Sequence, residues 1–135
     1  MPDANRTAMR RYYDEVWQQG NLAAEEELVA EDMVDHMPGP IPGRAGHRNT
    51  LMMIANAFPD RVFTVHDMFA EGDKVAGHWT MYATHTGELM GIPPTGKRVE
   101  LHGMDIARWR NGQIAEFWHI EDIMGLMRQL GVAAS

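Results

Sequence analysis

Residues 97–122 read KRVELHGMDIARWRNGQIAEFWHIED, and this stretch decides the fold. Lys97–Arg110 alternates apolar and polar residues, the pattern of a half-buried strand. Asn111-Gly112 is the dipeptide favoured in two-residue hairpin turns, where both positions need positive φ. Gln113–Glu121 is the returning strand. Ile123–Leu130 then reads as a short closing helix, ended by Gly131.

Upstream, Lys74–Thr86 and Val62–Ala70 read as two further strands, joined by a turn at Glu71-Gly72-Asp73. Gly91-Ile92-Pro93-Pro94-Thr95-Gly96 is a stiff loop between strands. The first half has a different period. Met9, Tyr12, Tyr13, Val16 and Trp17 recur at helical spacing, with Asp3 or Asn5 as the cap and Gly20-Asn21 as the stop. A short helix at Leu22–Val29 carries Glu25-Glu26-Glu27 on its solvent side, and a third runs from Ala45 to Phe58. Between them, Pro38-Gly39-Pro40-Ile41-Pro42-Gly43 is too rich in proline and glycine for helix or central strand. Helices first and an antiparallel sheet second define an α+β chain, expected to be one domain over residues 1–135 with a frayed tail at Val132–Ser135.

Composition narrows the function classes. Hydrophobic residues are 44% and charged residues 23%, which is ordinary globular composition and excludes disorder for the body of the chain. With no cysteine, disulfide, thiolate and cysteine–metal chemistry are excluded. The polar start and the absence of a long apolar run point to a cytoplasmic protein with no membrane partner. A net charge of −7 with scattered arginines and lysines argues against nucleic acid. The seven histidines show no helical i, i+4 zinc spacing, and no phosphate-loop spacing occurs, so no metal or cofactor is expected. Twelve methionines are compatible with a Met-rich core or with an adaptable pocket for a bulky apolar ligand.

An ordered set of short runs carries a family resemblance. It comprises Arg11-Tyr12-Tyr13-Asp14-Glu15-Val16-Trp17, Gly20-Asn21-Leu22, Val34-Asp35-His36 before the proline loop, and Thr84-His85-Thr86-Gly87-Glu88. Gly91–Lys97, Gly112-Gln113-Ile114, Phe117–Asp122 and Gln129-Leu130-Gly131 continue it. Together they resemble the SnoaL-like polyketide cyclases over almost the whole chain. The resemblance implies a cone-shaped curved sheet whose mouth is closed by helices around an apolar pocket. It also implies a homodimer or homotetramer built on the sheet's outer face, and a small hydrophobic, polyketide-like substrate. The implied reaction is cofactor-free intramolecular aldol ring closure. Epoxide hydrolysis, isomerisation, dehydration or ligand binding without catalysis remain alternatives on the same fold.

Acid–base candidates lie on the last two strands. Simple alternation puts Trp118, Ile120 and Asp122 on one face, and a carboxylate on an apolar face acquires the raised pKa of a general base. The resemblance places the catalytic aspartate on this strand, matching Asp122, which is equally placed to be the N-cap of the last helix. A two-residue turn pairs Asp105 with Trp118, making Asp105 a second carboxylate in the pocket, unless a bulge reverses the assignment. In that register His102 and His119 face away, whereas the resemblance implies a catalytic histidine from this strand pair. The substrate-binding candidates are Trp17 and His36 over the mouth, His78 and Tyr82 on the long second strand, and Trp118. Thr80 lies beside His78 where epoxide-hydrolase relatives carry an arginine and an aspartate, which weakens that alternative.

Overall fold

The computed structural model describes residues 2–37, 39 and 41–132. Pro38, Pro40 and most of the expected tail lie outside the described residues. No described helix is long and apolar enough to cross a membrane.

Helix α1 (Pro2–Arg11) runs without a break into a wider π-helical segment, Tyr12–Gln18. Its apolar side buries Met9, Tyr12, Tyr13 and Val16. Helix α2 (Leu22–Leu28) is capped by Asn21, whose side-chain oxygen accepts from the Ala24 N–H at 3.1 Å. Strand β1 (Val29–Asp35) follows directly, then α3 (Gly43–Ala57). Strands β2 (Val62–Glu71), β3 (Lys74–Thr84), β4 (Arg98–Arg110) and β5 (Gln113–Glu121) make the rest of the sheet, and α4 (Ile123–Leu130) closes the chain. The strand order is β1-β5-β4-β3-β2.

Two features depart from the sequence reading. The sheet is mixed: β1 pairs parallel to β5, with Asp35 opposite Phe117, so the sheet is not purely antiparallel. The second is a bulge in the β4–β5 hairpin. The turn itself forms as expected, with positive φ at Asn111 and Gly112, and Arg110 faces Gln113. Trp109 then faces Ile114, but Arg108 faces Glu116, which leaves Ala115 unpaired. From that point each β5 side chain points to the face opposite the one simple alternation assigns. Asp105 consequently faces His119, and Trp118 faces Ile106.

The inner face of the curved sheet carries Val75, Trp79 and Met81 from β3, with Leu101, Asp105 and Trp109 from β4. The helices cover this face, and the core includes Tyr12, Leu28, Leu51 and Phe58. The outer face is different. It exposes Phe69, Met104, Ile106 and Ile120, with histidines among them.

Candidate active site

A cavity of about 970 Å³ lies between the sheet's inner face, the π segment and α3. Its wall is mostly apolar: Trp17, Phe63, Trp79, Phe117, and methionines 33, 37, 53, 81 and 90. Both readings of the methionine excess therefore apply, since Met9 sits in the core while others line the cavity.

Five carboxyl side chains line it, Glu31, Asp32, Asp35, Asp105 and Glu121, and of these Asp105 is the buried one. Asp105, 6% exposed, is placed by β4 on the inner face. The Tyr13 hydroxyl donates to its Oδ2 at 3.0 Å, and the Trp79 indole N–H donates to the same oxygen at 2.8 Å. Burial pushes the Asp105 pKa up to about 7; the two donors and the His119 charge oppose the rise, and Glu121 adds to it.

His119 lies across the ladder from Asp105 and also lines the cavity. Its Nδ1 donates to Glu121 at 2.7 Å and its Nε2 to Asp35 at 3.1 Å. Burial alone would lower its pKa, but the two carboxylates outweigh burial and raise it to about 10. The ring is thus an imidazolium, fixed at both nitrogens. Asp35 also serves as a loop cap, as its Oδ1 accepts from the Met37 N–H at 2.8 Å.

The other candidates are distributed as follows. Asp122 is exposed and is the N-cap of α4, accepting from the Gly125 N–H at 2.9 Å; it does not line the cavity. The expectation that it faces the pocket fails because the Ala115 bulge turns its strand face outward. For the same reason Trp118 is on the outer face, where His36 stacks on it at 4.5 Å and 5° and the Lys74 ammonium sits 5.3 Å from its ring centre. His36 also contacts Glu116 and is outside the cavity. His102, His78 and Tyr82 are on the outer face too: His102 contacts the Thr80 hydroxyl at 3.0 Å, His78 contacts Asp67 at 3.2 Å, and Tyr82 is 37% exposed. Trp17 does line the cavity.

Tyr13 and Trp79 were not singled out from the sequence. The signal for Trp79 was the parity of β3, where Val75, Gly77, Trp79, Met81 and Ala83 form the apolar set. The pocket lies on their side, not on that of His78 and Tyr82.

A second polar cluster braces the roof. Glu25 is fully buried, accepts from Arg48 Nε at 2.8 Å and pairs with His47 Nδ1. The opposite ring nitrogen of His47 meets the Tyr12 hydroxyl at 2.7 Å. Burial works against the Glu25 charge, but the bonds from His47 and Arg48 prevail and hold its pKa below the usual carboxylate range. This cluster ties α2, α3 and the π segment together beside the cavity, whose wall His47 joins.

A large, mostly apolar cavity with a buried acid and a histidine fixed at both nitrogens defines a small-molecule enzyme of the cone fold. The profile of the SnoaL-like polyketide cyclase family matches residues 7–130, and the chain belongs to that family. IdmH of Streptomyces antibioticus is 34% identical, with 95% of this chain and 99% of that one covered and a TM-score of 0.81. TsrD of Streptomyces laurentii is 25% identical, with 98% of each chain covered and a TM-score of 0.89. Nogalonic acid methyl ester cyclase of Streptomyces nogalater is 33% identical over 60 residues; that match spans 44% of this chain and 45% of the cyclase, under half the relative's length.

Proposed function

We propose that the protein is a cofactor-free cyclase that closes a ring by an intramolecular aldol reaction, with Asp105 as its acid–base group. One observation carries the reading: a carboxyl group in the wall of a large apolar cavity, poised by burial near neutral pH. A C–H between two carbonyls is acidic enough for such a base. Asp105 takes that proton, and the resulting enolate carbon attacks a second carbonyl of the same molecule. The protonated Asp105 then returns the proton to the new alkoxide, so substrate and product are isomers. His119, held between Asp35 and Glu121, borders the reacting group in the cavity wall and fixes the shape of the pocket there. The apolar wall folds the substrate so that the two carbons meet, which replaces a loss of entropy at the reaction step.

The similarity to a nogalonic acid methyl ester cyclase suggests the first substrate to try. The protein is incubated with that ester and with neutral esters that carry a C–H between two carbonyls and a further carbonyl in the same molecule, and products are followed by liquid chromatography with mass detection. The expected product has unchanged mass and one carbonyl fewer, formed at least about 100-fold faster than without protein. Quenching of Trp17 and Trp79 fluorescence reports binding separately. Binding without ring closure across the whole series refutes the reading and leaves a ligand-binding protein.

The reading includes a homo-oligomer through the outer sheet face, most simply a two-fold dimer. The support is the run of exposed apolar side chains there, Phe69, Met104, Ile106 and Ile120. Light scattering is expected to give a multiple of the chain mass, and Ile120→Arg to give a monomer. A wild-type monomer at micromolar concentration would refute it.

A further inference from the structure

Asp105 is held lopsidedly. Tyr13 and Trp79 both donate to Oδ2, while Oδ1 receives no hydrogen bond among the described residues. The backbone around it is arranged to permit this. Gly77 on β3 lies directly opposite Asp105, and Gly103 on β4 directly opposite Trp79. A Cβ on Gly77 would sit 1.9 Å from the Tyr13 hydroxyl oxygen, and one on Gly103 would sit 2.2 Å from the Trp79 ring. Neither glycine has positive φ, so backbone conformation does not demand them. Glycine inside a strand weakens the strand and often marks a place where another group approaches closely. Here two such notches admit the two donors and nothing else.

We propose that Tyr13 and Trp79 are positioning residues that clamp Oδ2 of Asp105 and reserve Oδ1 as the atom that takes and returns the substrate proton. This rests on the reading of Asp105 as the acid–base group. A carboxylate gripped at one oxygen cannot turn about its Cβ–Cγ bond, so the free oxygen keeps a fixed direction toward the cavity. Both donors favour the ionised form, so they also decide how much of the group is ready as a base at neutral pH. Gly77 and Gly103 belong to the same device, because each supplies the space one donor occupies.

The test follows the Asp105 carboxyl carbon by NMR from pH 4 to 9. Tyr13→Phe and Trp79→Phe keep an aromatic ring while removing the donor. Each is expected to raise the titration midpoint by about one pH unit, the worth of one hydrogen bond to a charged group. Gly77→Ala is expected to raise it with Tyr13 still in place, and its circular dichroism spectrum shows whether it folds. Equal midpoints in the wild type, Tyr13→Phe and Trp79→Phe overturn the clamp, because a merely structural role would leave the midpoint unmoved. In the ring-closure assay the two aromatic variants are expected to lose turnover with little change in KM, and to recover part of it at higher pH. Raised midpoints in a protein whose wild type closes no ring would support the clamp and refute the cyclase reading alone.

Discussion

Asp105→Asn is expected to lower kcat/KM for ring closure by about 10²- to 10⁴-fold, the usual worth of a positioned general base, while making the folded protein more stable at pH 8. The two effects share one cause. The folded group titrates near 7 against an ordinary 3.8, so the folded chain holds its proton over a range where the unfolded chain has released it. The stability this group contributes is therefore complete below about 3.8 and is lost as the pH rises through about 7. The accumulated penalty above that window is on the order of 4 kcal/mol, from three pH units at 1.36 kcal/mol each. Asparagine carries no charge, and its carbonyl accepts from Tyr13 and Trp79 as the carboxylate does. The variant should match the wild type in urea unfolding near pH 4 and exceed it by a few kcal/mol at pH 8. Asp122→Asn serves as the control, since a capping residue on the outside should leave turnover intact. Equal turnover in Asp105→Asn and the wild type would remove Asp105 from the chemistry. A stability difference independent of pH would show that its carboxyl titrates normally.

The second large effect is expected at Glu25. It is fully buried and keeps its charge only through His47 and Arg48. Glu25→Gln removes the anion and leaves both partners facing a neutral amide, at a cost of about 3 kcal/mol. For a domain of this length that lowers Tm by roughly 10 °C. The dependence on pH has the opposite sign to that of Asp105. Glu25 has a lowered folded pKa, so its contribution is present above the unfolded value of about 4.5 and lost as the pH falls through the folded value. Melting curves at pH 7 and pH 4 should therefore differ more for the wild type than for the variant. A variant melting within about 2 °C of the wild type at pH 7 would show that the cluster contributes little. The variant should also bind substrate more weakly, because α3 carries part of the cavity wall and this cluster holds it to α2 and the π segment.

The architecture was legible because its strongest signals were local. The Asn111-Gly112 turn, the helical period from Met9 to Trp17 and the alternation through Lys74–Thr84 and Arg98–Arg110 each specify an element from neighbouring residues alone. Strand β1 was not legible. Val29 and Ala30 are both buried, Glu31 and Asp32 both exposed, and its pairing with β5 shifts between Val29 and Val34, so it shows no clean alternation. At the site, the turn pairs Asp105 with Trp118 in the sequence reading, and the bulge breaks that pairing; Asp105 is nonetheless on the inner face because it shares the β4 side of Val99, Leu101, Ala107 and Trp109. Asp122, Trp118 and His119 were assigned from the turn outward, and one unpaired alanine reversed all three. Nothing local marks that alanine, since Ile114 and Ala115 are both apolar and both buried. His78 and Tyr82 were chosen for their chemistry, whereas burial puts Trp79 and Met81 inside. Tyr13 reaches Asp105 across 92 positions of sequence, a contact set by how the π segment lies on the sheet.

Ala115 acts as the reading frame of the last strand. While it stays bulged, Phe117, His119 and Glu121 face the cavity; were it drawn into regular pairing with Arg108, Trp118 and Ile120 would take their places, and the acid would lose His119 as its neighbour without one substitution at a pocket position. Chemistry in this cone can thus diverge by whether a residue near a hairpin turn is bulged or paired, as well as by replacement. Two relatives with near-identical letters in this strand can present different reagents to their substrates, and an alignment that slides a gap by one column there would pair residues that never occupy the same space.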